Sequence, residues 1–332
     1  MLRTWSVIGL CVLCIVFSSV GLAQAEGKFA IVFATGGLGD KSFNDSAMHG
    51  MTLAKEQHGI EFDFAEPTAI AEYQPYLMQF ANTRQYDLII SIGFDQADAL
   101  NEIAVQFPEQ KFAIVDMVVD KPNVASYVYK EKERGFLMGV ASALMTVKTD
   151  DPRINAEKVI GVIGGMKIPL IDANIAGFIA GAKYVDPKIN ALHSYVGHWA
   201  DPGKGKELAL SMIEQGADVV WGAAGRSGLG VINAAQEKNI YAIGADSDQG
   251  HLAPDNVLTN GMKFVDQTVL LAMKQVLDGK FEGVIHVLGV AEDVLGYSTN
   301  LLPDDVIKAL EDVKAKIIAG EIEIPETIET VQ

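Results

Sequence analysis

From Lys28 onward the chain alternates short apolar runs with longer stretches whose apolar residues recur every three or four positions. Phe29 to Ala34 is almost continuously apolar and ends on Gly36-Gly37, the pattern of a strand buried on both faces of a parallel sheet. Ser42 to His58 reads as a helix, with Ala47, Met51 and Ala54 on one face and Gly59 as the stop. The unit recurs. Phe62 to Phe64 precedes a helix expected over 71–84, Leu88 to Ile92 precedes one over 96–107, and Phe112 to Asp116 closes the series. Such β-α-β crossovers require parallel strands.

A second series follows the polar stretch Lys148 to Lys158. Strands are expected at 159–164, 193–196, 218–221 and 240–244, with helices running through Phe178, over 205–215 and over 229–238. The tail reads as helix 267–278, strand 285–290 and helix 303–319, and could complete either half. The fold class is therefore α/β, one parallel-sheet fold used twice. Ligands of open parallel sheets collect beyond the carboxyl ends of the strands. The loops at 36–44, 93–95, 116, 164–167, 197–201, 222–226 and 245–249 are thus expected to line a cleft between the halves.

The first 25 residues stand apart. Arg3, the apolar stretch Trp5 to Val20 and Ala23-Gln24-Ala25 ahead of Glu26 read as a cleavable secretory signal. Cys11 and Cys14 both lie inside it, each preceded by Leu where a lipoprotein signal wants a small residue, so no lipid anchor is expected. The remaining chain has no cysteine, which excludes disulfides, thiolate nucleophiles and thiolate metal sites. With 332 residues, 49% of them hydrophobic, it is globular and long enough for two domains. A net charge of −17 disfavours nucleic acid as a partner.

Gly36-Gly37-Leu38-Gly39-Asp40 lacks the dinucleotide spacing, and Asp40 would set a carboxylate against a pyrophosphate. Ser42 as N-cap with Asp45 as a capping-box acid accounts for the following turn. Phe43 and Asn44 are left over, and Phe43 either joins the core or offers its face to a planar ligand. Asp116 ends an apolar strand, where it either caps a helix or receives donors from a ligand. Trp199 either packs or stacks on a base or sugar. Asp246 and Asp248 either hydrogen-bond a ribose diol or serve a helix dipole, and Lys263 reads equally well as an ordinary exposed lysine. Asp246, Asp248 and His251 would also permit a metal-dependent nucleoside hydrolase. The rest of such an acid cluster is missing, as are the usual hydrolase motifs, so an enzyme is not expected.

Gly36 to Asn44 (GGLGDKSFN) closely resembles the basic membrane protein family, substrate-binding proteins of ABC importers best known for purine nucleosides. Glu66-Pro67, Ser91 to Phe94, Ala113 to Asp116, Gly177-Phe178, Asp201 to Ala209, Gly244 to Gln249 and Met262-Lys263 match in order, so the resemblance spans the chain. It implies the hinged type I periplasmic binding protein fold, two doubly wound Rossmann-like lobes joined by three crossovers. The expected division is a first lobe over 26–128 completed by about 260–285, and a second over 129–259 completed by about 286–332.

By the same resemblance Phe43 stacks on the purine, Asn44 and Asp116 read the base, and Asp246 and Lys263 hold ribose hydroxyls. Phe178 or Trp199 would form the second side of the stack, with Asp40 and Gly225 completing the ligand-binding set. No cofactor is implied. The implied partners are a small-molecule ligand and an inner-membrane permease, for a monomer in the periplasm. Asp45, Met48 and His198-Trp199 depart from the family pattern. They keep riboflavin or another planar heterocycle, and a sensory input domain, as alternatives.

Overall fold

The computed structural model describes residues 27–331. The first half runs β1 (Lys28–Val32), α1 (Phe43–His58), β2 (Glu61–Ala65), α2 (Tyr73–Thr83), β3 (Leu88–Ile92), α3 (Ala97–Gln106), β4 (Phe112–Val115) and β5 (Val124–Tyr129). After α4 (Glu131–Thr146) come β6 (Val159–Gly164), α5 (Pro169–Val185), β7 (Asn190–Tyr195), α6 (Pro202–Glu214), β8 (Ala217–Ala223), α7 (Gly228–Lys238), β9 (Tyr241–Asp246) and β10 (Val257–Lys263). The tail supplies α8 (Val265–Leu277), β11 (Ile285–Leu288), β12 (Leu295–Tyr297) and α9 (Asp304–Ile318).

Two sheets result, ordered β11-β5-β4-β3-β1-β2 and β12-β10-β9-β8-β6-β7. All pairings are parallel except β10 with β12. The chain passes between the lobes at Lys130, Phe264 and Gly289, and the two return passages fall a few residues beyond the expected positions. β10 therefore stays with the second sheet, while α8 packs on α1 and β11 extends the first sheet.

Helices cover both faces of each sheet, and the two-residue period of the strands divides the cores. Phe29 and Ile31 of β1 pack with Met51 and Val269 on one face, whereas Ala30 and Val32 pack with Leu77 and Leu100 on the other. In the second lobe Ile160 and Val162 face α4 and α5, and Val159 and Ile163 face the α6 and α7 side.

β5, β10, β12 and α4 have no counterpart in the sequence expectation. α4 is buried nearly all round, so its apolar residues show no single-face period. Its glycines let it press directly on α5: a Cβ on Gly135 would fall 2.0 Å from the Asn174 carbonyl oxygen, and one on Gly139 2.1 Å from that of Phe178.

Candidate functional site

The carboxyl ends of the two sheets face one another across a cavity that both lobes line, a common place for a small ligand. Its wall brings together Asp40, Phe43, Asn44 and Asp116 from the first lobe with Trp199, Gly225, Asp246 and Lys263 from the second. Phe178 is not in this wall. It is fully buried in the second core, its ring centroid 5.9 Å from that of Trp221, because α5 turns that face toward α4 and the sheet.

The loop after β1 is built around Asp40. Its carboxylate accepts from the backbone N–H groups of Ser42 (2.9 Å), Asn44 (2.9 Å) and Asp45 (3.1 Å), and so caps α1. Burial outweighs these donors and pushes its pKa up to about 6. The expected Ser42–Asp45 capping box is absent. Ser42 makes no side-chain cap bond, and Asp45 instead accepts from Gly39 N (2.6 Å) and Lys41 N (3.0 Å). Left-handed backbone at Gly39 (φ 85°) and Lys41 (φ 55°) folds the loop so that Asp40, rather than Ser42, reaches the helix start. Asn44 is largely structural: its Oδ1 accepts from Ala34 N (2.9 Å) and its amide nitrogen donates to Asp40 (3.2 Å).

Behind the cavity runs a buried series of alternating charges. Lys263 Nζ lies 2.5 Å from Asp116 Oδ1 and 2.7 Å from Glu131 Oε1. Arg134 lies 2.8 Å from Glu131 Oε2 and 2.6 Å from Asp246 Oδ1, and its Nε donates to Asn174 Oδ1 at 3.1 Å. Asp246 also accepts from Ser42 Oγ across the lobes. The reading of Lys263 as an ordinary exposed lysine is thus corrected: it is 2% exposed, because two carboxylates compensate its desolvation. Asp116 caps no helix but pairs with Lys263. Burial pushes its pKa up to about 6 against the opposing pull of that lysine. Burial also opposes ionisation of Glu131, but Arg134 and Lys263 outweigh it and hold the carboxyl below its ordinary value. Asp116 (φ 76°) and Asp246 (φ 65°) both hold left-handed backbone at strand ends, a strained conformation of the kind that gathers at ligand sites.

Glu131 and Arg134 were missed in the sequence. The available signal was a pair of opposite charges three residues apart immediately before the apolar run Gly135 to Met145. A helix buried all round needs partners for such charges.

Three aromatic rings line the same space, from Phe43, Phe94 and Trp199. The Lys263 ammonium sits 5.0 Å from the Phe43 ring centroid, within cation–π range. Phe94 and Trp199 meet edge to face across the lobes at 6.4 Å. Gly165 makes room for Trp199, since a Cβ there would fall 2.2 Å from the indole ring. Gly225 (φ 56°) passes beside the same residue. Arg226 donates to the Leu38 carbonyl (2.5 Å) and Gln249 to that of Lys41 (2.8 Å), so the lobes are latched around the cavity.

The metal-hydrolase constellation does not assemble. Asp246 faces Arg134, whereas Asp248 Oδ1 accepts from Gly250 N (2.9 Å), Asn260 Nδ2 (3.0 Å) and Asn300 Nδ2 (3.0 Å). Among the described residues no group of three or more His, Cys, Asp or Glu is placed to hold a metal.

Residues 28–328 match the Bmp family, described as "ABC transporter substrate-binding protein PnrA-like". An uncharacterized lipoprotein of Pyrococcus abyssi is 31% identical, covering 94% of this chain and 85% of its own. Basic membrane protein A1 of Borrelia garinii is 32% identical over 94% of this chain and 93% of its own. Among solved structures, an ABC transporter solute-binding protein of Aeropyrum pernix superposes with a TM-score of 0.83 at 30% identity, covering 92% of this chain and 95% of that one. The lipoprotein name of the Pyrococcus relative counts against the expectation that a lipid anchor is absent, and the residues behind that expectation lie outside the described ones.

Proposed function

The chain belongs to the Bmp family of PnrA-like substrate-binding proteins of ABC transporters, and from that premise we propose that it captures a purine nucleoside between its lobes. As a member of that family it is a binding protein rather than an enzyme, and it serves a membrane permease from the outer side of the membrane. The finer reading is a periplasmic monomer whose closed, loaded form is what the permease recognises.

The observation that carries the reading is the combination in one cavity wall of three aromatic rings with a charge-matched polar series. A purine stacks on Phe43, with Trp199 as the second aromatic. Asp246 and Lys263 take the ribose hydroxyls, since a carboxylate and an ammonium suit a diol that both donates and accepts. Asp116 Oδ2 and the remaining amide N–H of Asn44 read the base edge. Asp40 acts indirectly by capping the helix that carries Phe43, and Gly225 lets the backbone close beside Trp199. The ligand is a nucleoside rather than a nucleotide because Lys263 and Arg134 are already matched by Asp116, Glu131 and Asp246, leaving neither of them for a phosphate.

The test is to denature the purified protein, identify by mass spectrometry any small molecule it carried, refold it, and titrate adenosine, guanosine, inosine and riboflavin calorimetrically. A carried nucleoside and saturable nucleoside binding are expected. Saturable riboflavin binding with no response to nucleosides would overturn the assignment in favour of a flavin carrier.

A further inference from the structure

The loop after β3 contributes a fourth carboxylate to the cavity wall, and it differs from the others. Asp40 is filled by backbone N–H groups, while Asp116 and Asp246 each face a buried cation. Asp95 has only neutral partners, and its side-chain donors share one oxygen. Its Oδ2 accepts from the Tyr73 hydroxyl at 2.9 Å, with the Thr35 hydroxyl at 3.5 Å. Among the described residues neither a cation nor a side-chain donor reaches Oδ1.

The surroundings keep that oxygen open. Gly93 (φ 109°) also lines the cavity, and a Cβ on it would fall 3.2 Å from Asp95 Oδ1. Tyr73 is fully buried and holds Oδ2 of this cavity-lining carboxylate, which leaves Oδ1 as the oxygen without a side-chain donor. The adjacent residue, Phe94, supplies one of the aromatic rings. Burial raises the Asp95 pKa, the expected consequence of a desolvated carboxylate with no cation beside it. An ionised carboxylate only accepts hydrogen bonds, so what it lacks here is a strong donor.

Resting on the nucleoside reading, the geometry points to Asp95 as a specificity-determining residue that accepts from an exocyclic amino group of the base, making amino-purine nucleosides the substrate class. A base without an N–H donor at that position leaves Oδ1 buried and unpartnered on closure, and the site rejects it for that reason. Discrimination by such an unpaired group is much stronger than discrimination by lost contact area.

The test compares adenosine and guanosine with purine riboside, which has the same ring system and ribose but no donor on the base. Ligand-free wild-type protein is expected to bind the better of the two amino nucleosides at least about tenfold more tightly than purine riboside, the discrimination of one charge-assisted hydrogen bond. In Asp95→Asn, which keeps an acceptor for Tyr73 but offers amide donors as well, that ratio should fall to within about threefold. A wild-type ratio near one, or a ratio preserved in Asp95→Asn, overturns the inference and leaves the nucleoside reading standing. If Asp95→Asn does not fold, Asp95→Ala takes its place, and the same collapse of the ratio is expected. Failure of the wild-type protein to bind any nucleoside overturns the nucleoside reading and this inference with it.

Discussion

The Arg134 guanidinium, 2.6 Å from Asp246 Oδ1, ties the first turn of α4 to the end of β9 and so fixes the one carboxylate that also meets Ser42 of the opposite lobe. Arg134 is 3% exposed and touches Glu131 and Asn174 as well. Arg134→Met would leave two buried carboxylates short of a partner. Breaking such a pair costs about 3–5 kcal/mol. Urea unfolding should show a loss of that order, larger than the loss for Lys148→Met, whose ion pair with Asp305 lies at the surface. Equal losses in the two variants would contradict the role given to the buried series.

The hydrogen bond from Ser42 to Asp246 and the neighbouring latch from Gln249 to the Lys41 carbonyl join the two lobes beside the cavity. Ser42→Ala removes the first without touching the helix cap, which belongs to Asp40. Hydrogen bonds to charged groups contribute about 1.5–3 kcal/mol. Ligand affinity measured by calorimetry should therefore drop by roughly tenfold or more, chiefly through faster dissociation, while unfolding of the unliganded protein changes little.

Three buried acids shape the pH dependence of stability, Asp40, Asp116 and Asp218, whose pKa values burial pushes up to about 6 against an ordinary 3.8. Because the folded pKa is raised, the native state holds more protons than the unfolded chain between these values. The contribution to stability is therefore complete below about pH 4 and lost as pH rises through about 6. Asp40→Asn keeps an oxygen acceptor for the α1 cap and removes one titration. Urea midpoints of ligand-free protein from pH 4 to 7 should fall less steeply for the variant than for wild type. A wild-type slope equal to that of the variant would show that Asp40 does not titrate in this window.

The β1 core was legible because Phe29 to Ala34 is a continuous apolar run, as a strand covered by helices on both faces requires, with Phe29 and Ile31 facing one layer and Ala30 and Val32 the other. Asp116 and Asp246 were legible as acids at strand ends, where open parallel sheets gather ligands. Lys263 was not, since its partners lie 147 and 132 residues away and nothing local requires its burial. α4 escaped because a helix buried all round has no amphipathic stripe, and Glu131 and Arg134 escaped with it. The Ser42 cap was misread because a preceding acid in a left-handed loop reaches the same N–H groups, and one-dimensional spacing does not distinguish the two.

Phe178 and Trp199, indistinguishable in the sequence as the second aromatic, should separate cleanly by mutation. Phe178 is fully buried against Trp221, and Phe178→Ala should destabilise the second lobe by about 3–5 kcal/mol. Affinity, measured at a temperature where the variant is still folded, should be largely kept. Trp199 lies partly exposed in the cavity wall on the Gly165 backbone. Trp199→Ala removes a stacking face worth about 1 kcal/mol beyond its buried area, so binding should weaken by tenfold or more with a much smaller change in unfolding midpoint. If instead Phe178→Ala abolished binding in a protein of unchanged stability, Phe178 rather than Trp199 would be the second stacking aromatic.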